Sequence, residues 1–309
     1  MRSPSLTVIG CVQADVVMSP VTDLPSPGGT LLAERMTVRV GGAGANAALA
    51  SVETGLETRL IGCIGDDQLG GWMREQLALA GLADELVVLA GETSGLTVAL
   101  ESAARDRTFL TYLGVNALWE AATIPDDALS CENLLLCDYF VAPSLRREAA
   151  RGLLDTTRSR GGRTFFDTTW DPDGFPGKTR AEVRSLLPSV DVFLPNEGEA
   201  CALADAPADA AHAARLLQAD SGGWVVVKLG ARGCFAVGPD GDEVAVPAPA
   251  VEVADTTGAG DAFNAGLVGA LARGADWPDA LRLATGFATT IVSRPSNNRY
   301  RVSVTEVKG

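Results

Sequence analysis

The stretch Asp255–Gly266 combines a glycine turn with an acidic residue, and this pairing can do chemistry. It reads Asp-Thr-Thr-Gly-Ala-Gly-Asp-Ala-Phe-Asn-Ala-Gly, a pattern that predicts a helix beginning at Gly258. The backbone N–H groups of Gly258, Ala259 and Gly260 would point at open space and form an anion hole for a phosphoryl group. Asp261 stands in the same turn, where a carboxylate would repel a resting phosphate. We therefore predict that Asp261 is a general base that removes a proton from an attacking hydroxyl.

A second glycine turn, Gly41–Asn46 (Gly-Gly-Ala-Gly-Ala-Asn), lies between a predicted strand and a predicted helix. Gly42 would let the backbone approach a ligand, and the Asn46 amide offers a donor and an acceptor to a polyhydroxylated ligand. Asp15 follows the first predicted strand, at the strand end where open α/β sheets place their sites. Its carboxylate could accept two sugar hydroxyls. Together with Asp261, these residues form the predicted substrate site.

The same glycine turn has two other interpretations. Residues Gly42–Ala47 fit the loose G-x-G-x-x-[G/A] dinucleotide pattern, with Asp66 and Asp67 about twenty residues further on. This pattern alone would indicate a dinucleotide-dependent oxidoreductase. Glycines in this position can also serve only to let a helix pack closely on a strand, and that role needs no ligand.

The composition excludes several classes of protein. The 309 residues carry 25 Lys and Arg against 39 Asp and Glu, and the net charge of −14 disfavours nucleic acid and anionic membrane surfaces as partners. A single histidine, His212, excludes a histidine-rich zinc site. The six cysteines form no CxxC pair, and several lie in apolar runs typical of buried, reduced thiols. No apolar run is long enough to span a bilayer, so we expect a cytoplasmic enzyme.

Short apolar runs alternate with helical segments along the whole chain. Such runs are typical of strands buried on both faces, and their alternation with helices predicts βαβ units and a parallel sheet. The predicted strands are Leu6–Val12, Thr58–Ile64, Leu134–Cys137, Thr164–Asp167, Val190–Leu194 and Trp224–Leu229. The predicted helices are Ala43–Thr54, Gln68–Ala80, Ser144–Arg160, Glu197–Ala204, Ala208–Ala219, Gly258–Arg273 and Trp277–Ser293.

Two stretches break this alternation. Val16–Val40 and Gly95–Tyr112 lack helical periodicity, so we expect antiparallel strands that form a small flap outside the main sheet. Cys234–Val246 contains a Pro-Asp-Gly-Asp turn and predicts a further hairpin. No repeat or linker interrupts the chain, so residues 1–309 are expected to form a single domain.

Four motifs together resemble the ribokinase, or PfkB-type, carbohydrate kinases. In the order of that family, they are Gly41–Asn46 with Gly55 and Gly65 (the N-terminal signature), Leu194–Glu199 (Asn-x-x-Glu after a strand), Lys228–Gly233 (a strand and glycine turn) and Asp255–Asp261 (the C-terminal signature). One of these motifs alone would be weak, but four in the right order and spacing cover most of the chain.

The resemblance implies a three-layer αβα sandwich with a mostly parallel central sheet and a small β-strand lid, built here from residues 16–40 and 95–112. It implies an ATP-dependent phosphotransferase that phosphorylates a hydroxymethyl group of a sugar or sugar-like substrate, with Asp261 as the base. A nucleoside kinase of the adenosine-kinase type is the alternative within this fold. Ala43 stands where ribokinases proper have a lysine, and Asp167–Pro172 lacks the arginine of many acid-sugar kinases. An acid sugar is therefore disfavoured.

The resemblance also assigns the cofactor sites. Asn196 and Glu199 would organise hydrated Mg²⁺ near the nucleotide phosphates, since Mg²⁺ prefers oxygen ligands and retains water. The residues implied in ATP binding are Asn196, Lys228, Gly230, Gly233, Gly258, Gly260 and Asn298. Many members hold a monovalent cation such as K⁺ with the equivalents of Asp255 and Thr257 and with a final loop in which Arg294 has the usual basic position. Lid strands often pair across a dimer in this family, so we expect a homodimer.

Overall fold

The structure, a computed structural model, describes residues 5–21, 23–101, 108–295 and 300. Its strands are β1 (Leu6–Ile9), β2 (Gln13–Ser19), β3 (Arg35–Gly41), β4 (Thr58–Ile61), β5 (Cys63–Gly65), β6 (Val87–Leu89), β7 (Gly95–Leu100), β8 (Thr108–Tyr112), β9 (Asn133–Leu136), β10 (Arg163–Phe166), β11 (Val192–Phe193), β12 (Trp224–Lys228), β13 (Cys234–Val237) and β14 (Glu243–Val246). Its helices are α1 (Ala43–Glu53), α2 (Gln68–Ala78), α3 (Glu148–Ser159), α4 (Gly177–Leu186), α5 (Glu197–Ala204), α6 (Ala210–Ser221), α7 (Ala259–Ala272) and α8 (Trp277–Val292).

The central sheet has the strand order β14-β13-β12-β11-β10-β9-β1-β4. All neighbours from β12 to β4 are parallel, which confirms the predicted, mostly parallel sheet. β13 and β14 pair antiparallel at one edge. The predicted hairpin over Cys234–Val246 is therefore the end of the main sheet.

Alternate residues of the central strands enter two hydrophobic clusters, one on each face of the sheet. On β10, for example, Phe165 packs in one cluster and Phe166 in the other, and both are fully buried. The first cluster includes residues of α1, α2, α7 and α8, and the second includes residues of α3, α4, α5 and α6. The result is the expected three-layer αβα sandwich. Among the described helices, none combines the length and apolar character that crossing a bilayer requires.

Several elements differ from the sequence prediction, and β6 is one that was not predicted. Helix α4 was not predicted, because only Thr179, Val183 and Leu186 of its ten residues are buried and the apolar periodicity is weak. The helix expected from Ser144 begins only at Glu148, since Arg147 has a left-handed φ of 57° that no helix tolerates. The strand expected over Thr58–Ile64 divides into β4 and β5, and β5 pairs with β6 in a separate sheet.

The predicted flap is a separate four-stranded sheet with the order β3-β2-β7-β8, which we call the lid sheet. Its outer pairs are antiparallel as expected, but β2 and β7 at its centre are parallel. Parallel pairing needs a long connection, and here β3, α1, β4, β5, α2 and β6 supply it. Each stretch thus forms an antiparallel hairpin as predicted, and the parallel contact between the two hairpins was not predicted.

The lid sheet buries polar side chains and exposes apolar ones, the reverse of an ordinary surface sheet. Arg39, Asp15 and Thr97 lie directly opposite one another on β3, β2 and β7, and all three are buried. On the opposite face, Val38 is 39% exposed and Leu110 is 54% exposed. We call the face that carries Arg39, Asp15 and Thr97 the inner face, and the face that carries Val38 and Leu110 the outer face.

Candidate active site

A cleft of about 680 Å³ lies beside the first turn of α7. Its walls come from residues at or just beyond the carboxyl ends of β10, β11 and β12, from the turn before α7 and from one side of α8. Trp170 lies at its rim and is 52% exposed. Among the residues predicted from the sequence, the cleft brings together Asn196, Glu199, Lys228, Gly230, Gly233, Gly258, Ala259, Gly260 and Asp261.

The start of α7 offers fewer free N–H groups than expected. Gly258 has a left-handed φ of 71°, which favours glycine, and the helix begins at Ala259. The N–H of Ala259 donates to the carbonyl of Thr256 at 3.2 Å, so it is already used. Within the described part of the chain, the N–H groups of Gly258 and Gly260 find no protein acceptor. These two groups can therefore bind an anion.

Asp261 lines the cleft and lies in the first turn of α7. Burial raises its pKa well above the ordinary value, and the nearby carboxylates of Asp167 and Asp138 raise it further. The Lys228 ammonium and a hydrogen bond with the Asn46 side chain lower it in part. A carboxylate with a raised pKa accepts a proton more readily, as a general base must.

Lys228 is held by two residues that the sequence analysis did not assign. Its Nζ lies 2.5 Å from Asp167 Oδ2 and 3.4 Å from Asn264 Oδ1, and Asn264 Nδ2 donates to the same Asp167 oxygen at 2.6 Å. Burial lowers the pKa of Lys228, but the negative charges of Asp167 and Glu199 outweigh this effect, so the pKa is raised overall. A methyl group on Gly260 would lie 3.4 Å from Nζ, so the ammonium is adjacent to the anion-binding turn.

Asn196 and Glu199 form a capping box at the start of α5. The Asn196 side chain accepts from the N–H of Glu199 at 2.9 Å, and Glu199 Oε2 accepts from the N–H of Asn196 at 2.9 Å. The Asn-x-x-Glu spacing is itself a capping-box pattern, a signal that the sequence analysis missed. Glu199 is nevertheless buried, and burial with the Asp167 charge raises its pKa to about 7. A solvated residue that only caps a helix would not be perturbed in this way.

The glycine turn before α1 packs against protein. A methyl group on Gly42, whose φ is 88°, would lie 2.3 Å from the carbonyl oxygen of Cys11, and one on Gly44 would lie 2.4 Å from the carbonyl carbon of Gly10. These two positions therefore require glycine for close packing, and the assignment of Gly42 to the substrate site stays a prediction. Asn46 follows them in α1, is buried, and contacts Asp261.

Asp138, just after β9, holds this glycine turn in place through hydrogen bonds, and this role was not predicted from the sequence. Its Oδ2 accepts from the N–H of Cys11 at 2.8 Å and from that of Gly44 at 2.9 Å. Burial raises its pKa to about 6 although these N–H groups oppose the shift. The sequence signal was an acidic residue directly after a buried strand, in Leu-Leu-Leu-Cys-Asp.

Asp138 should make the stability of the protein depend on pH. The folded protein binds the proton of this carboxyl more tightly than the unfolded chain does. Protonated Asp138 therefore adds to the free energy of unfolding at low pH, and this contribution is lost as the pH rises from about 4 through about 6. We expect the free energy of unfolding to fall across this window by about 2–3 kcal/mol more in the wild type than in Asp138→Asn. Urea denaturation over a pH series measures this, and equal slopes would contradict it.

Asp15 follows β1 as predicted and lies inside strand β2 of the lid sheet. Only three residues separate β1 from β2, so a residue shortly after the first strand already belongs to the lid sheet. Arg39 Nε lies 3.8 Å from Asp15 Oδ2, and Arg39 Nη1 donates to Asp255 Oδ2 at 2.8 Å. The predicted substrate-binding and cation-binding carboxylates thus share one arginine, which the sequence analysis did not single out.

The remaining predicted residues lie around this centre. Asp255 Oδ1 accepts from the N–H of Thr257 at 2.8 Å. Arg294 binds the carboxylate of Glu53 at 2.7 and 2.9 Å, which joins the end of α8 to the end of α1. Asn298 lies outside the described residues.

The two acidic residues of the dinucleotide interpretation have local partners. Asp67 caps α2 through the N–H of Gly70 and also accepts from Ser94. Asp66 accepts from the N–H of Gly91. Neither carboxylate is left at the glycine turn to bind a ribose, so the geometry does not support an oxidoreductase.

Comparison with known proteins gives one consistent result. The profile of the pfkB family carbohydrate kinases matches residues 3–300. A ribokinase of Haemophilus influenzae is 27% identical over 94% of this chain and 92% of its own. The structure of Arabidopsis thaliana ribokinase complexed with ribose and ATP has a TM-score of 0.80 at 24% identity, covering 97% and 98% of the two chains. Adenosine kinase from Sinorhizobium meliloti has a TM-score of 0.83 at 22% identity, covering 97% and 98%.

Proposed function

The chain belongs to the pfkB family of carbohydrate kinases, and from this premise we propose that it transfers a phosphoryl group from ATP to a hydroxymethyl group of a free sugar. The observation that carries the proposal is the first turn of α7. There Asp261, with its raised pKa, stands beside the N–H groups of Gly258 and Gly260, which have no acceptor among the described residues, and contacts Asn46. We propose residues 1–309 as one kinase domain with the lid sheet over the acceptor.

The residues of the cleft divide the reaction between them. Asp261 accepts the proton of the attacking hydroxyl, and Asn46 orients that carboxylate. The N–H groups of Gly258 and Gly260 and the ammonium of Lys228 stabilise the negative charge on the phosphoryl group. Asp167 and Asn264 hold Lys228 in place.

The cleft also suits Mg²⁺ as the partner of ATP. Three carboxylates, those of Asp167, Glu199 and Asp261, lie close enough to the Lys228 ammonium to raise its pKa, so a polyphosphate needs additional positive charge there. Glu199 and Asn196 would hold Mg²⁺, which when bound neutralises the phosphate charge. Among the described residues, no three His, Cys, Asp or Glu side chains are placed so that they could hold one metal ion together, so water and phosphate oxygens would complete the coordination.

The inner face of the lid sheet favours a sugar over a nucleoside. Gln13 Nε2 donates to Thr97 Oγ1 at 2.7 Å, and the hydroxyls of Thr97 and Thr111 lie 2.9 Å apart. With Asp15, these groups offer a row of donors and acceptors that hydroxyls can satisfy. A nucleobase would desolvate them without replacing all their hydrogen bonds.

A coupled assay of ADP release tests the function. Pentoses, hexoses, ketoses and nucleosides are compared at saturating ATP and Mg²⁺, with a reaction lacking acceptor as the control. We expect at least one free sugar to have a kcat/KM more than about tenfold above that of any nucleoside. A nucleoside as the best acceptor would support the adenosine-kinase alternative, and no acceptor-dependent ADP release would refute the proposal.

We further propose a homodimer formed through the outer face of the lid sheet. Met36, Val38, Leu110 and Tyr112 on this face are all exposed, and a contiguous apolar surface of this kind is typical of an interface. Light scattering should give twice the mass of one chain for the wild type and a single-chain mass for Leu110→Asp. A monomeric wild type at micromolar concentration would contradict the dimer.

We also propose a cytoplasmic location. All six cysteines are free, and five of them are buried, as suits a protein kept in a reducing compartment. Cell fractionation would test this.

A further inference from the structure

Arg39 has an unusual place for a residue in a lid strand. Its side chain is only 10% exposed, and the Asp255 side chain that it contacts is 1% exposed. Their atoms Nη1 and Oδ2 are 2.8 Å apart. The contact joins strand β3 of the lid sheet to the segment just before α7, across 216 residues of sequence. Arg39 is therefore one half of a buried ion pair between the lid sheet and the segment before α7.

Asp255 uses its two oxygens for different tasks. Oδ1 accepts from the N–H of Thr257, and Oδ2 accepts from Arg39. The N–H groups of Ala254 and Asp255 donate to the carbonyl of Val292, so the segment is also fixed to the end of α8. The carboxylate of Asp255 thus shapes the turn that leads directly to Gly258 and the start of α7.

A buried carboxylate in this position needs a positive partner. The family resemblance predicts a monovalent cation at Asp255 and Thr257, but here the guanidinium of Arg39 already binds that carboxylate. A second cation on the same oxygen would lie beside the guanidinium, and the two positive charges would repel each other. The described residues therefore do not fit K⁺ at this carboxylate.

We propose that Arg39 is the internal cation of the catalytic turn, so that this kinase works without a monovalent cation. The inference rests on the proposed function. Because the same guanidinium also lies 3.8 Å from Asp15, Arg39 is a positioning residue that links the acceptor side of the lid sheet to the phosphoryl side of α7.

The first experiment compares the wild type in KCl, NaCl and tetramethylammonium chloride at equal ionic strength. We expect kcat to agree within about twofold and the melting temperature to be the same in the three salts. An activation by K⁺ of about tenfold or more, or a rise in melting temperature specific to K⁺, would overturn the proposal. The melting temperature can be measured without a substrate, so it tests the cation proposal even if no acceptor is found. A failure of the proposed function can therefore be distinguished from a failure of the cation proposal.

The second experiment uses Arg39→Met, which removes the charge and keeps most of the side-chain volume. We expect kcat to fall by about tenfold to a hundredfold in tetramethylammonium chloride, because the catalytic turn is misplaced, and K⁺ to restore most of it. K⁺ should also raise the melting temperature of this variant only. Arg39→Lys should keep more activity than Arg39→Met. Loss of activity in Arg39→Met without rescue by K⁺ would mean that Arg39 has only a structural role.

Arg35→Met is the matched control. Arg35 lies on the same strand, is exposed, and its Nη2 is 3.4 Å from Ser19 Oγ. Its substitution should change neither kcat nor the response to K⁺. If Arg39→Met does not fold, the salt comparison of the wild type still supports or overturns the proposal by itself.

Discussion

Replacement of Asp261 by asparagine should lower kcat by about 10²–10⁴-fold. The amide has nearly the same shape and can still hydrogen-bond Asn46 or a sugar hydroxyl, but it cannot accept a proton. Removing the charge also relieves repulsion with the phosphates, so the dissociation constants of ATP and sugar should change by less than about tenfold. Single-turnover kinetics and fluorescence titration, for which Trp170 at the rim of the cleft is a reporter, measure the two quantities.

Asp279 provides a matched control for this variant. It is the third residue of α8, as Asp261 is the third residue of α7, but its side chain is 51% exposed to solvent. Asp279→Asn should therefore leave kcat unchanged. If Asp261→Asn kept more than about a tenth of wild-type turnover, Asp261 would not be the general base.

Replacement of Lys228 by methionine should destabilise the protein by about 3–5 kcal/mol, because it leaves the buried carboxylate of Asp167 without its positive partner. Turnover should also be lost, since the ammonium next to Gly260 disappears. Adding Asp167→Asn to this variant removes the stranded charge. We expect the double variant to regain much of the stability in urea denaturation and none of the turnover.

Measuring stability and turnover in the same variants distinguishes a catalytic role of Lys228 from a role in balancing the charge of Asp167. Lys178→Met, an exposed lysine on α4, should change the free energy of unfolding by no more than about 0.5 kcal/mol. If the double variant recovered turnover together with stability, Lys228 would only balance the charge of Asp167. If Lys228→Met were as stable as the wild type, the ion pair would not contribute to the fold.

Much of the cleft was predictable because its signals are local. The glycines before Asp261 and the Asn-x-x-Glu spacing of Asn196 and Glu199 are contained within a few residues, and a helix start needs no distant partner. The parallel sheet was predictable for a similar reason, since each apolar run carries its own pattern. The family resemblance then related these local features to one fold and one reaction.

The contacts that connect the parts could not be predicted in this way. Lys228 binds Asp167 across 61 residues, Gly44 binds Asp138 across 94, and Arg39 binds Asp255 across 216. The spacing of residues in a single sequence does not indicate which distant residues form such pairs. The place of Asp15 inside the lid sheet was not predicted for the same reason, because the lid sheet depends on which distant strands pair and not on the run that follows β1.

The central pair of the lid sheet also has a consequence for how the protein folds. β2 and β7 are neighbours in space but about 80 residues apart in sequence, so closing that loop costs chain entropy before the pair can form. The half of the acceptor site that carries Asp15 should therefore form late, after β1, α1 and β4 have associated. Elements that form last often open first, so the amides of β2 and β7 should exchange their hydrogens sooner than those of the central sheet. The mobility that lets an acceptor enter would then be a direct result of the order of the strands along the chain.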